Sequence, residues 1–325
     1  MKKHFKKLLL MALMAVMAVG LIACGTDKSD NESTKEEKTS VTITSLDASK
    51  NEIELEVPYN PKRIAILDLA SLDIIDELGV GDRVVGMAST SIDYLEKYSN
   101  DASIKNLGTI KEADLEAVME CEPDIIFIGG RLSKSYDALS EIAPVVYLAT
   151  DTNEGLVNSV SKNAKTIASI FGMEDKVDSL MSDFGARIDA IKKISSGKTA
   201  LVGMTTSGSF NLLGNDGRCS LIGVEAGFNN LTAAGSTSTH GNESSFETVV
   251  QQNPDYIFVM DRDSAISTAG AKTAKEIVEN KLVKTTDAYK NNHIIYLEHS
   301  NVWYTAEGGI QALDIMLTDL EKGLK

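Results

Sequence analysis

The sequence predicts an α/β protein of two Rossmann-like lobes joined by one long helix. Three observations carry this prediction. Apolar, β-rich runs alternate with helical segments, a long proline-free amphipathic stretch divides the chain, and the frame at residues 115–131 recurs at 246–262.

In the first half, Arg63–Leu67 is a β-rich apolar run, Asp68–Leu78 reads as a helix and Val84–Met87 as a strand. Leu115–Glu120 is a short helix closed by Pro123, before the strands Ile125–Ile128 and Val145–Leu148. Strands spaced by helices argue for parallel βαβ units. From about Val157 to Ile194 there is no proline, and Val177, Leu180, Phe184, Ile188 and Ile191 recur at helical spacing. Gly172 is a point of kink or division, but most of this run is expected as one helix. The second half repeats the alternation: strand Ala200–Met204, helix Leu221–Ala226, strands Tyr256–Met260 and Ile294–Leu297, and an amphipathic helix from Gly308 onward.

The repeat is gapless. Leu115-Glu116-Ala117-Val118 is followed after four residues by Pro123-Asp124-Ile125-Ile126-Phe127-Ile128 and then Gly129-Gly130-Arg131. Phe246-Glu247-Thr248-Val249 is followed after four by Pro254-Asp255-Tyr256-Ile257-Phe258-Val259 and then Met260-Asp261-Arg262. Glu, Val, Pro, Asp, Ile, Phe and Arg recur in register, which chance alone does not readily supply.

The N-terminus reads as a lipoprotein export signal, the alternatives being an ordinary cleaved signal peptide or a short membrane anchor that is never removed. Lys2, Lys3, Lys6 and Lys7 precede an apolar run, Leu8 to Ala23, that is too short to span a bilayer comfortably. It ends in Leu21-Ile22-Ala23-Cys24, the bacterial lipoprotein processing pattern. Cleavage before Cys24 would free its thiol for a diacylglyceryl anchor and its amine for a further acyl chain; two or three chains hold a protein durably, one only marginally. Gly25–Thr39 is polar and charged without an aromatic residue, so it cannot bury surface. The expected organisation is therefore a signal peptide (1–23), a disordered tether (24–40), an N-terminal α/β lobe (41–156), a connecting helix (157–196) and a C-terminal α/β lobe (197–325). The expected location is extracytoplasmic, on the cell membrane through Cys24. Removing the signal removes four lysines and no acid, taking the formal charge from -15 to -19. So acidic a chain argues against nucleic acid and against lying flat on anionic lipid. Cys121 and Cys219 could form one disulfide, but nothing in their setting suggests a disulfide framework or a zinc motif, and both are expected free and partly buried.

The lobe–helix–lobe pattern resembles the periplasmic-binding-protein class that serves siderophore, haem and cobalamin importers, over essentially the whole mature chain. Several segments are similar to the catecholate-siderophore binders of the petrobactin and enterobactin-hydrolysis-product type: Gly129-Gly130-Arg131-Leu132, Gly217-Arg218, Thr239-His240-Gly241, Asn253 through Arg262, and Trp303-Tyr304-Thr305-Ala306. The resemblance implies a class III periplasmic-binding-protein fold. It also implies a lipoprotein that passes a ferric siderophore to an ABC-importer permease, acts as a monomer, is no enzyme, and holds no permanent cofactor.

The residues are coherent with such a cargo. Ferric ion held by three catecholate dianions keeps about three negative charges, and by two about one, which suits guanidinium cations that stay protonated and donate in a fixed plane. Arg131 and Arg262 sit at the same point of the two repeats, past the C-terminal end of a strand, the edge where parallel sheets bind ligands. Arg218 lies in the turn Gly214-Asn215-Asp216-Gly217-Arg218 before a helix. In the resembled family, arginines at these three positions contact catecholate oxygens. A siderophore with two catecholates leaves two open positions on octahedral iron. Imidazole suits iron, and a phenolate is a hard anionic donor. His240, in a polar loop, and Tyr304, read as a loop residue before the last helix, match the His and Tyr that complete iron coordination in the family; a hexadentate ligand would not need them. Glu116 and Glu247, each one residue into a short helix, also favour the helix dipole. In related binding proteins, matching glutamates dock onto permease arginines.

Other functions fare worse. There is no His-Glu-x-x-His, no Gly-x-Ser-x-Gly and no P-loop, and Gly79-Val80-Gly81 has the wrong spacing for a dinucleotide fingerprint. The alternative cargoes on the same scaffold are haem, a cobalamin-like ligand, or free Zn or Mn held by residues such as His240, His293 and Glu298. The histidine supply is thin for zinc.

Overall fold

The computed structural model describes residues 38–233 and 237–325. The expected signal peptide, Cys24, nearly all of the tether and part of the loop before His240 lie outside the described residues. No helix among the described residues is long and apolar enough to cross a membrane.

The first sheet is parallel, in the order Lys105–Asn106, Val84–Met87, Ile64–Ile66, Ile125–Ile128, Val145–Tyr147. Its central strands Ile64–Ile66 and Ile125–Ile128 are buried at every residue, as expected of continuous apolar runs covered on both faces. The second sheet runs Asn242–Glu243, Ser209–Leu212, Thr199–Thr206, Tyr256–Asp261, Ile294–Tyr296, with Asn229–Asn230 also pairing the Thr199–Thr206 strand. Its core is parallel, and Ser209–Leu212 and Asn242–Glu243 join antiparallel.

The sequence repeat has a structural reason in both sheets. Asp124 Oδ2 accepts from the Lys62 and Arg63 N–H groups at 2.7 and 2.9 Å, just ahead of the strand beside it. Asp255 Oδ2 accepts from Thr199 N and Oγ1 at 2.8 and 2.9 Å in the same relation. Each Pro-Asp thus aligns the start of a strand with its parallel neighbour, satisfying donors that the sheet would leave open. Each strand then leads to an arginine: Arg131 lies in the 3₁₀ turn Gly130–Ser135, and Arg262 opens the helix Arg262–Ala265.

The expected single long connector is instead three helices, Leu156–Phe171, Glu174–Leu180 and Phe184–Ser195. Gly172 caps the first in the left-handed region (φ 65°), and its N–H turns back to the carbonyls of Ala168 and Ser169. The second break falls in the turn Met181–Asp183, where the amphipathic spacing continues while the backbone does not. The N-terminal hairpin Ser40–Leu46/Glu52–Pro58 was not read from the sequence. It begins at Ser40, inside the stretch taken as tether, because Ser40 pairs with Pro58 in the ladder. The helix expected at Leu221–Ala226 is a single turn, Ser220–Gly223.

The helix Ile310–Gly323 fastens the halves together. Its buried face, including Leu313, Met316, Leu317 and Leu320, joins one core with Leu72 and Ile75 of the Leu69–Glu77 helix. Asp73, fully buried, accepts from Gln311 N and Ala312 N at 2.9 Å each and from Tyr94 Oη at 2.6 Å. A carboxylate from one lobe therefore satisfies the open N–H groups of a helix far along the chain. On that helix's flank, Arg187 of the connector makes ion pairs to Asp314 at 2.5 Å and Glu321 at 2.7 Å.

Candidate ligand-binding cleft

Tyr304 is the centre of the site. It lies on the short helix Ser300–Thr305 and not in a loop, and it is only 4% exposed. That helix is held from below. Asp319 accepts from His299 N at 3.0 Å and Trp303 Nε1 at 3.0 Å, and pairs with His299 Nδ1 at 2.7 Å. Trp303 is fully buried as a result, and its neighbour Tyr304 is presented to the cleft.

Three guanidiniums surround the Tyr304 ring. Their carbons lie 5.3 Å (Arg131), 4.5 Å (Arg218) and 5.8 Å (Arg262) from its centroid, within cation–π range. Arg131 Nη2 and Arg218 Nε donate to the Tyr304 carbonyl at 3.1 and 3.3 Å, and Arg262 Nε to its hydroxyl at 3.5 Å. Arg218 Nη1 also donates to Thr239 O at 2.9 Å, tying the His240 loop to the same point. The structure thus brings together Arg131, Arg218, Arg262 and Tyr304, with His240 close enough to feel all three charges.

The electrostatics follow. Burial pushes the Tyr304 phenol up, but the Arg262 hydrogen bond and the charges of Arg218, Arg262 and Arg131 outweigh it and hold it below its ordinary value. Burial, followed by the positive charges of Arg262, Arg218, Lys111 and Arg131, lowers the His240 imidazole, keeping it neutral and available as a donor. Arg131 is lowered first by burial and then by Arg218, so the unfilled site holds like charges against each other. Gly129 is required here: a Cβ would strike Asp68, whose carboxylate caps the Leu69–Glu77 helix through Ser71 N at 2.9 Å.

A cavity of about 300 Å³ in the cleft is lined by Asp68, Arg131, Arg218, Tyr304 and Glu307 among others, whereas Arg262 and His240 are not in its lining and reach the site through Tyr304 and Arg218. A side chamber of about 460 Å³ shares Lys50, Thr150, Asn163 and Glu307 with it. Sequence reasoning missed two residues. Lys111, in the exposed turn between Gly108–Thr109 and Glu112–Ala113, adds a cation facing His240 from the other lobe. Glu307 lines the wall beside the arginines; its position just past Tyr304 was the available signal.

The remaining candidates lie elsewhere. Glu116 and Glu247 are exposed near the starts of their helices, which Asp114 and Ser245 cap. Cys121 and Cys219 are free and buried. The trio His240, His293 and Glu298 does not assemble: His293 stacks flat on Tyr256 at 4.2 Å, and Glu298 pairs with Lys322 at 2.9 Å. Glu298, His299 and Asp319 do converge, but Asp319 is already committed to His299 and Trp303.

Two parallel-sheet lobes with an arginine-lined cleft between them define a substrate-binding protein of the class III type. The chain belongs to the periplasmic binding protein family, whose model matches residues 64–300. It is 36% identical to the petrobactin-binding protein YclQ of Bacillus subtilis over 98% of this chain and 99% of that one. It is 26% identical to the ferric-anguibactin-binding protein FatB of Vibrio anguillarum over 82% of this chain and 84% of that one. Among solved structures, it superimposes on YclQ with a TM-score of 0.81 (88% of this chain, 99% of that chain). The catecholate-siderophore binding protein VctP of Vibrio cholerae gives 0.78 at 30% identity, covering 87% of this chain and 100% of that chain.

Proposed function

We propose that this protein captures a ferric catecholate siderophore in the Arg131–Arg218–Arg262 cleft and delivers it to the permease of an ABC importer. The observation that carries this reading is the three guanidiniums gathered round one phenol, an arrangement that suits aromatic rings bearing anionic oxygens. The relatives are transport binding proteins, so the chain is a carrier and not an enzyme, and the ferric siderophore is its transported ligand and not a permanent cofactor. His240 and Tyr304 complete the iron coordination of a tetradentate complex, and Cys24 carries the lipid anchor that holds a monomeric carrier outside the membrane.

Trp303 is the sole tryptophan and adjoins Tyr304, so a ferric complex in the cleft should quench its fluorescence. Titration with ferric bis-catecholate, ferric hexadentate catecholate, haemin and Zn tests the cargo, and quenching by haemin alone would end the siderophore reading. The double variant His240→Ala, Tyr304→Phe should weaken the tetradentate complex about tenfold or more beyond its effect on the hexadentate one. Equal losses would refute ligation by the pair.

Docking is carried by Glu116 and Glu247, one exposed carboxylate per lobe. Charge reversal at both should abolish uptake of labelled ferric siderophore by cells while binding in solution stays unchanged; normal uptake would reject these sites.

A further inference from the structure

Capture of an anion gives no reason for acids in the wall of its cleft, yet two lie there: Asp68, which is committed to capping the Leu69–Glu77 helix through Ser71, and Glu307, which caps nothing. It lines both the cleft and the side chamber. Its Oε2 accepts from the Cys219 N–H at 3.5 Å. The next residue, Gly308, packs so closely on Ala70 and Thr150 of the facing lobe that a Cβ would already touch both. The segment therefore has little freedom to swing the carboxylate away. The charges that face it are Arg218 and Arg131 from two different elements and Glu225 from a third, with the Cys219 thiol alongside. Burial pushes its carboxyl up to about 7 while the arginines pull it down, so it is substantially ionised just above neutrality.

We propose that Glu307 sets how much negative charge the cargo carries, by opposing each complex in proportion to its charge and so favouring a ferric bis-catecholate over a tris-catecholate. The inference rests on the catecholate reading above. Charge–charge energy is linear in the ligand's charge, whereas lost packing or a lost hydrogen bond is not. Selectivity commonly needs such a repulsive element beside the attractive ones, here the three arginines.

The test compares wild type and Glu307→Gln for ferric bis-catecholamide and ferric tris-catecholamide complexes at pH 8 and low ionic strength. Taking the ratio of variant to wild type at one pH cancels the complexes' own proton equilibria. A charge about 10 Å away at an effective dielectric constant of about 35 contributes on the order of fivefold per unit of ligand charge. Because a bound anion also raises the Glu307 carboxyl from about 7, the gain at pH 8 saturates at about elevenfold, and the variant should bind the bis complex about fourfold and the tris complex about tenfold more tightly. Glu307→Asp, which keeps the charge, should retain the wild-type ratio. Should the Gln variant melt well below wild type, Glu307→Met, similar in length and uncharged, replaces it. Equal changes for both complexes, or weaker binding of both, would overturn the proposal while leaving the cargo assignment intact. Failure of wild type to bind either complex would overturn both together.

Discussion

Replacing Arg131, Arg218 or Arg262 singly by alanine should lower affinity for the ferric bis-catecholate by about 30- to 1000-fold, and replacing all three should abolish binding. Removing one member of a desolvated charge pair typically costs about 2–4 kcal/mol, and each 1.4 kcal/mol is about tenfold. Arg131→Ala and Arg218→Ala should fold at least as well as wild type without ligand, because these two cations are held together against their mutual repulsion. Arg262→Ala, in contrast, strips the buried Asp263 of its ion pair at 3.1 Å and should melt lower. Arg218→Ala should show this most clearly. It loses hydrogen bonds to Thr239 O and Tyr304 O but relieves the charge on Arg131 and on His240. Fluorescence titration beside thermal melts checks both halves, and a fall in melting temperature that tracks the loss of affinity would show Arg131 and Arg218 to be structural. Arg→Lys should recover only part of the binding, since ammonium keeps the charge but not the planar donor fork.

The second large effect is on stability. Asp73→Ala leaves the Gln311 and Ala312 N–H groups and the Tyr94 hydroxyl without their buried acceptor, and should cost about 3 kcal/mol, or roughly 5 °C in melting temperature. The wild type should also carry a pH signature. Burial raises the Asp73 carboxyl from 3.8 to about 6, against the opposing hydrogen bonds from Tyr94, Gln311 and Ala312, with Glu77 adding to the rise. The native state then binds the proton more tightly than the unfolded chain. This group's contribution is thus most favourable below about pH 4 and declines as pH rises to about 6. Glu307, raised to about 7, acts in the same direction over a higher window. Subtracting the stability–pH curve of Asp73→Asn from that of wild type isolates the Asp73 part. A difference that is flat between pH 4 and 6 would contradict the burial of an ionisable group there.

The strands were legible because both central runs are covered on two faces and read as unbroken apolar stretches, and the repeat placed Arg131 and Arg262 at corresponding strand ends. Arg218 was legible from its turn. What could not be read was whatever depends on residues far apart in sequence. Asp73 stands between Leu72 and Ile74 on a helix face that packs inward, so a charge in an apolar run was the only local trace of a bond to residues 311 and 312. Glu307 and Lys111 have no periodic signature; Glu307 matters because it lines the cleft beside the arginines, and Lys111 because its charge reaches His240. The loop expected at Tyr304 is the six-residue helix Ser300–Thr305, whose stability comes from Asp319 beneath it and not from its own sequence. The three-part connector shows the reverse failure. Its apolar spacing persists across Met181–Asp183, and periodicity reports which face is buried, not whether the backbone is continuous.

The bond between Asp73 and the Ile310–Gly323 helix also has a consequence for how the chain assembles. Its partners are separated by 238 and 239 residues, so the first lobe's helix Leu69–Glu77 can pack on the Leu156–Phe171 helix early but lacks the rest of its cover until residues 310–323 have been made. Contacts of such long range are closed late and slowly, since the intervening chain must be ordered before they are rewarded. The order of synthesis thus leaves an apolar face waiting on an early element for a late one, and whatever handles the nascent chain has to shield Leu72 and Ile75 in the interval.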